Sequence, residues 1–428
     1  MKQFLLRQLQ YVLKIIARAI IKKYRPSVIA VTGSVGKTGT KQAIYAALQN
    51  ARHVRVAKGS FNTEIGTPIT IIGDWSDDEL RLVSKYQPAG TAYIKKLLLW
   101  IKILAHGVRQ IILRVPYPEV LILEYGVQKP GDMDELVAIA SPSIAVMTAI
   151  GKTPVHVEFF KDAEAVAVEK GKLARAVPPM GFVVLDADDE RVMAMRETVV
   201  GRVITFGCHR GAEIRITNFN YLETEVKPVG IAWKLEYAGS TVPFRFTGIL
   251  GKPHAYAASA ATAVGLAFGL NLVRIAEDIQ KDYVPAKHRM HIVECANGST
   301  IIDDSYNASP IAMEEAIGTF EALNARRKVA VLGDMLELGN YSEAAHRTVG
   351  KRIAKIADVL VAVGPAARYL AEEANNEKRK KISVTPVPSV AEAIELVPGL
   401  LKPGDLVLIK GSRGVALDRL VEKLATQK

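Results

Sequence analysis

A strand that runs directly into a glycine loop and then a helix constrains this chain more than any other feature. Residues 27–31 read SVIAV, residues 32–42 read TGSVGKTGTKQ, and an alanine-rich helical pattern follows. Gly33 and Gly36 let backbone N–H groups approach phosphate oxygens at the positive end of that helix. Ser34 and Val35 complete the loop, Lys37 is expected to reach the β- and γ-phosphates, and the Thr38 hydroxyl is suited to Mg²⁺. The strict Walker pattern places a glycine five positions before Gly36, where Val31 stands. The shorter TGxxGKT loop keeps its meaning because it ends a strand and opens a helix. The chain is expected to bind a nucleoside triphosphate.

The remainder alternates strand and helix patterns, so the fold class is α/β. With 428 residues, two or three domains are expected. The expected organisation is a basic amphipathic helix over 1–27, a central ATP-binding domain over 28–285 with a mixed sheet, and a C-terminal Rossmann-like domain over 286–428. The central domain is interrupted by 80–118 and carries a β-rich stretch at 202–248. The boundary falls near VPAK, and KVAVLG, ADVLVAVG, KISVTPV and DLVLIKG supply the strands beyond it. The run AYAASAATAVGLAFG is short and Ala/Gly-rich, which fits a buried helix. Two cysteines, Cys208 and Cys295, form no CxxC pair, excluding a disulfide scaffold and a cysteine-based zinc site.

Net charge is +12, and all of it sits at one end. Twelve Lys and Arg residues precede the first acidic residue, Glu64. Residues 1–24 form an amphipathic pattern, with Leu5, Leu9, Val12, Ile16 and Ile20 on one side and Arg7, Lys14, Arg18 and Lys22 on the other. Residues 80–118 again lack acidic residues, against seven basic ones. Both segments are too interrupted by cations to span a bilayer. They are expected either to contact an anionic membrane surface or to pack together as a helical cap. No RNP motif, zinc finger or polar recognition helix accompanies them, so nucleic acid is not an expected partner.

Six further blocks resemble the Mur ligase family. They are KGSFNTEIGTPIT (58–70), LILEYGVQKPGDMDEL (121–136), PVHVEFF with AVEKGKL behind it (154–173), DDSYNASPIAM (303–313), VLGDMLELGNYSEAAHRTVG (331–350) and LIKGSRG (408–414). Their order is the family's, and DDSYNA and GDMLELG are most similar to its MurF branch. The resemblance implies a cytoplasmic ATP-dependent ligase of peptidoglycan synthesis. Such an enzyme activates a muramoyl-peptide carboxylate as an acyl phosphate and joins it to an amino-acid or dipeptide acceptor, D-alanyl-D-alanine in the MurF branch. Other Mur-type acceptors, as in pseudomurein or cyanophycin-like ligases, and a non-catalytic nucleotide-binding protein at a membrane surface are the alternatives.

The resemblance also assigns roles. Two Mg²⁺ sites are implied, drawing on Thr38, Glu124, His156 and Lys170, the last carbamylated by CO₂; Lys172 is the neighbouring candidate. Glu124 ends the strand VLILE, where an open α/β sheet places ligands, and a carboxylate there is a hard donor for Mg²⁺. Arg289 is expected at the nucleotide phosphates and Asp304 near the ribose, with Asp303 as substitute. The family's GxHN pattern is replaced by GKPHAYAAS, leaving His254 as the adenine-side candidate. Lys152 and Thr153 are inserted before His156. Asn62 and Thr63 resemble the substrate-proximal loop. Asp334, His346, Lys410, Ser412 and Arg413 are expected at the acceptor, Arg413 through its bidentate fork. Family members carry an N-terminal domain for the UDP end of the substrate, and only 27 residues precede the expected central domain here.

Overall fold

The computed structural model describes residues 2–59, 61–83, 93–151, 159–225, 227–377 and 382–426. The chain divides into two compact units. One comprises residues 1–150, 167–214 and 257–284, the other residues 151–166, 215–256 and 285–428. Val284 closes the first unit and Pro285 opens the last block of the second.

The first unit is built on strands β1 (Ser27–Thr32), β2 (Val54–Val56), β3 (Val120–Glu124), β4 (Ile144–Met147), β5 (Phe182–Asp186) and β6 (Arg202–Gly207). Their spatial order is β2-β3-β1-β4-β5-β6, and every pair is parallel. Helices α1 (Lys2–Tyr24), α2 (Lys37–Leu48), α3 (Gly66–Ile72), α4 (Asp77–Val83), α5 (Tyr93–Ile112), α6 (Asp132–Ile139), α7 (Ala163–Arg175), α8 (Glu190–Ala194), α9 (Lys252–Ala267) and α10 (Leu272–Asp282) accompany it, the ends of α7 and α9 reaching into the other unit. Val28 to Val31 and Val120 to Leu123 are almost fully buried. A parallel strand covered on both faces must read as a continuous apolar run, and these do. The Ala-rich α9 is buried as expected, with Ala258, Ala260, Ala261 and Ala263 inaccessible.

The two basic segments meet. Helix α1 packs on α3, α5 and α6. A Cβ on Gly107 of α5 would lie 2.5 Å from Ile16 Cγ2, so glycine permits this approach. Lys23 Nζ donates to the carbonyls of Gln110 (2.8 Å), Ile111 (3.0 Å) and Leu113 (2.6 Å), neutralising the end of α5. The buried stripe of α1 is Leu13, Ile16, Ala17 and Ile20, while Val12 is exposed and Leu9 half-buried. Ile16 and Ile20 thus lie in the stripe as expected, while Leu13 and Ala17 rather than Val12 and Leu9 complete it.

The second unit holds an antiparallel meander, β7 (Ile214–Glu223), β8 (Pro228–Tyr237) and β9 (Ser240–Thr247), and a six-stranded sheet. The sheet's strands are β10 (His291–Glu294), β11 (Thr300–Asp303), β12 (Arg327–Gly333), β13 (Val359–Val363), β14 (Ser383–Val387) and β15 (Asp405–Lys410), in the order β10-β11-β15-β12-β13-β14. Only β10 is antiparallel to its neighbour. Helices α11 (Pro310–Ala322), α12 (Ser342–Ile353), α13 (Ala367–Asn376), α14 (Val390–Leu400) and α15 (Asp418–Thr426) complete this Rossmann-like unit. Val329, Val331, Val361, Val407 and Ile409 form its core. Among the described residues no helix is long and apolar enough to cross a membrane.

Candidate active site

In the first unit the candidate residues gather at the carboxyl edge of neighbouring strands β3, β1 and β4. Gly33 (φ +151°) and Gly36 (φ +84°) adopt backbone conformations that L side chains rarely reach, and a Cβ on Gly33 would lie 1.9 Å from Thr148 Oγ1. Thr148 donates its hydroxyl to the Val35 carbonyl at 2.6 Å, and the Ser34 and Val35 amides donate to the Ala149 carbonyl at 2.8 and 3.3 Å. The loop is thus pinned by the end of β4. No side chain caps the start of α2, so the helix opens at the loop with its terminal N–H groups and positive dipole end toward an incoming anion. Lys37 Nζ folds back onto the carbonyls of Gly33 (2.8 Å) and Ser34 (3.1 Å).

Thr38 Oγ1 donates to Glu124 Oε2 at 3.2 Å, and Asn62 Nδ2 donates to Glu124 Oε1 at 3.1 Å. The phosphate loop, the end of β3 and the segment carrying Asn62 therefore converge on one carboxylate. Lys41 also reaches it at 3.2 Å, while donating to the Gly59 carbonyl at 2.7 Å. Burial alone would push the Glu124 carboxyl up, but Lys41, then Lys37, with hydrogen bonds from Lys41 and Asn62, hold it below its ordinary value. Lys41 is completely buried. Sequence reasoning missed it, since a lysine one turn after Lys37 reads as solvated; its place on the apolar face of α2 was the available signal. Thr63 accepts from the Gly66 amide at 3.4 Å through its hydroxyl and shapes the entry to α3.

Lys170 is buried on α7, and its Nζ donates to Ser34 Oγ at 3.1 Å. Burial, then the nearby Lys37 charge, pull its amine well below the ordinary lysine value, opposed by Asp189. Lys172 differs in every respect. It is bound by Asp134 (2.6 Å) and Glu169 (2.7 Å), which push it up. His156, with the inserted Lys152 and Thr153, lies outside the described residues. Among the described residues no three His, Cys, Asp or Glu side chains form a metal cluster.

In the second unit the candidates lie at the carboxyl ends of adjacent strands β11, β15 and β12. Lys410 Nζ donates to Asp304 Oδ2 at 2.5 Å and to the Asn307 carbonyl at 2.9 Å. Burial pulls Lys410 down against the raising effect of Asp304. Here the ribose candidate and an acceptor candidate are each other's partners. Asp303 instead pairs with His288 Nδ1 at 2.7 Å and accepts from Ser305.

Asp334 is buried and accepts from the Ala367 amide at 2.7 Å, capping α13. His346 is fully buried, with Nδ1 at 2.7 Å from the Ser342 carbonyl and Nε2 accepting from the Met335 amide at 3.0 Å. That arrangement fits the neutral Nδ1–H tautomer and holds the 334–338 loop. The Ser412 hydroxyl donates to the Ala308 carbonyl (3.2 Å) and accepts from the Leu336 amide (2.9 Å), tying three loops together. Arg413 is exposed, pairs with Asp418 at 2.6 Å, and lies 5.8 Å from the Tyr306 ring.

Arg289 stacks over Tyr306 at 4.3 Å. Its two neighbours, His288 (φ +60°) and Met290 (φ +54°), are both in the left-handed region. That strain is sustained by fixed partners. His254 Nε2 contacts the Arg289 carbonyl at 3.3 Å, and the Met290 carbonyl accepts from the Leu250 amide at 2.8 Å. Burial, aided by His291, pushes His254 down to about 4, so the ring is neutral.

Two family models match the chain, the Mur ligase middle domain over residues 105–265 and the Mur ligase glutamate ligase domain over residues 288–413. The UDP-N-acetylmuramoyl-tripeptide–D-alanyl-D-alanine ligase of Mycobacterium leprae (strain TN) is 30% identical, over 93% of this chain and 73% of its own length. The protein of the same name from Bacillus subtilis (strain 168) is 28% identical, over 96% and 78%. Among solved structures, MurF of Thermotoga maritima in complex with ADP superposes with a TM-score of 0.75 at 25% identity, covering 98% of this chain and 84% of that one. MurF of Acinetobacter baumannii superposes at 0.78 with 23% identity, covering 98% and 81%, a likeness of fold. A phosphate loop bound to the Glu124 carboxylate, together with these matches across both units, places the chain in the Mur ligase family, in its MurF branch.

Proposed function

We propose that this protein is an ATP-dependent carbon–nitrogen ligase that joins D-alanyl-D-alanine to the peptide carboxylate of a UDP-N-acetylmuramoyl tripeptide, releasing ADP and phosphate. The observation that carries this reading is the convergence of Lys37, Thr38, Glu124 and Asn62 at one sheet edge, in a chain whose relatives bear that name. They name D-alanyl-D-alanine, which favours it over other Mur-type acceptors. A carboxylate is a poor electrophile, so its oxygen first attacks the γ-phosphorus and ADP leaves. The acceptor amine then attacks the acyl carbon, and phosphate departs with the bonding pair. Lys37, released from the Gly33 and Ser34 carbonyls, binds the transferring phosphoryl group. Arg289, preset by His254 and its strained neighbours, meets the nucleotide phosphates.

Thr38 and Glu124 offer hard oxygen donors of the kind Mg²⁺ takes, and Glu124 is held anionic, so this pair would hold the ion. Bound there, Mg²⁺ supplies charge neutralisation for the phosphates. His156 is the candidate for the second ion. Lys170 fits carbamylation: burial favours the neutral amine, whose lone pair adds to CO₂ with loss of a proton as the N–C bond forms. The Ser34 hydroxyl and the Lys37 charge favour the resulting anion. Asn62 and Thr63 form the loop that meets the muramoyl peptide. Asp334, His346, Ser412 and the Lys410–Asp304 pair shape the loops from which exposed Arg413 meets the acceptor carboxylate. ATP and a UDP-linked substrate make the cytoplasm its place of work.

Phosphate release measured with ATP and Mg²⁺ tests the reading. Turnover is expected only when UDP-muramoyl tripeptide and D-alanyl-D-alanine are both present. Equal turnover with D-alanine or L-amino acids, or turnover without the tripeptide, would overturn it.

A further inference from the structure

Helix α5 has two apolar faces, and the fold uses only one. Leu99, Ile103 and Gly107 turn inward, and Gln110 beside them donates to the Ile72 carbonyl at 2.6 Å. On the opposite side Ile94, Leu97, Leu98, Ile101, Val108 and Ile112 recur at helical spacing in solvent, with Ile94 72% and Ile112 73% exposed. A shallow apolar groove lined by Ile101, Leu104, Val108, Ile112 and Leu113, with Arg109 among its walls, continues this stripe. Helix α1 packs beside α5 and itself exposes Leu6, Tyr11 and Ile15. Surface helices of soluble proteins ordinarily present polar residues on the face away from the core.

The charge beside the stripe says what covers it. Lys95, Lys102 and Arg109 follow at intervals of seven, close to two helical turns, and so form one file along the border of the apolar face. Lys95 and Arg109 are exposed; Lys102 is bound to Glu79 at 2.5 Å. His106 is pushed below its ordinary value by burial and then by Arg55, Arg109 and Lys102, which reports a positive local field. Two copies joined through this face with their α5 helices antiparallel about a twofold axis would bring their cationic files together, which disfavours that pairing. A surface that is apolar beneath and anionic at the headgroups matches both features.

We propose that the outer face of α5, flanked by α1, is a docking surface for an anionic lipid bilayer, with the apolar stripe lying in the headgroup layer and Lys95 and Arg109 among the lipid phosphates. The inference does not depend on the ligase reading, and it places the protein on the membrane surface.

The test is co-sedimentation of the full chain with phosphatidylcholine vesicles, with and without phosphatidylglycerol, across a salt series. Binding to the anionic vesicles is expected at low salt and should fall as salt rises. Lys95→Gln with Arg109→Gln should weaken it about thirtyfold. Leu98→Ser with Ile101→Ser and Val108→Ser should remove it, with an unchanged circular-dichroism spectrum as the measure of folding. Absence of binding to anionic vesicles at low salt overturns the proposal, as does binding that neither set of substitutions changes. Vesicle-free self-association that the serine substitutions abolish would equally overturn it and assign the face to a second copy.

Discussion

Lys170 and Lys172 stand two residues apart on α7 in opposite electrostatic settings. Lys170 is buried against the Ser34 hydroxyl at 3.1 Å, whereas Lys172 is clamped between Asp134 and Glu169. Burial and the Lys37 charge pull the Lys170 amine well down, whereas the two carboxylates push Lys172 up. Only a neutral amine adds CO₂, and the lowered amine is the reason carbamylation is proposed at Lys170 rather than Lys172. Lys170→Ala should lower phosphate release by on the order of a hundredfold or more, and short carboxylates should restore part of it. Lys172→Ala should change turnover by no more than about twofold, as expected for a partly exposed ion pair. Equal losses in the two variants would count against this assignment.

Lys37 and Lys41 are separated by one helical turn, and the fold gives them different duties. Lys37 donates to two carbonyls of its own loop, whereas Lys41 is buried against Glu124 and the Gly59 carbonyl. Lys37→Ala should abolish ATP turnover with an unchanged melting temperature. Lys41→Ala leaves a buried carboxylate without its main cation and should cost about 3–5 kcal/mol of stability. Thermal melts of both variants, beside turnover, check the distinction. A Lys37→Ala protein that unfolds, or a Lys41→Ala protein as stable as the parent, would refute it.

Much of this was legible in the sequence because parallel strands covered on both faces leave uninterrupted apolar runs, as in β1, β3, β12, β13 and β15. The phosphate loop was legible because its glycines are sterically required. The pairing of Asp304 with Lys410 was not: they are 106 residues apart and meet because β11 and β15 are parallel neighbours, with Asp303 opposite Ile409. Nor could spacing reveal that backbone groups engage both nitrogens of His346. Helix α5 defeats periodicity for another reason, since it is apolar on its exposed face as well as its buried one.

His346 and Arg413 separate loop-holding from recognition. The His346 ring bridges the Ser342 carbonyl and Met335 amide inside the unit, whereas the Arg413 guanidinium is exposed and pairs with Asp418. Arg413→Ala should raise the Michaelis constant for D-alanyl-D-alanine about tenfold, with little change in melting temperature, as loss of a charge-assisted contact implies. His346→Ala should lower stability by roughly 1–3 kcal/mol through the unpaired buried amide. An unchanged acceptor Michaelis constant in Arg413→Ala would move acceptor recognition elsewhere.

His254 gives stability a pH dependence whose sign is fixed by its burial. In the unfolded chain the ring titrates near 6.5, while in the folded chain it takes a proton only at about 4. Between those values the unfolded state binds the extra proton, so unfolding becomes easier as pH falls, and the loss levels off below about 4. The full effect approaches ~3 kcal/mol, from a shift of roughly two and a half units at 1.36 kcal/mol each. The same ring contacts the Arg289 carbonyl, within the strained His288–Met290 segment. His254→Gln keeps a side chain able to donate to that carbonyl but does not titrate. Denaturant melts of parent and variant across this pH range should therefore converge in slope above 6.5 and diverge below it, the variant retaining more of its neutral-pH stability. Parallel pH profiles for the two proteins would show that His254 carries no such linkage.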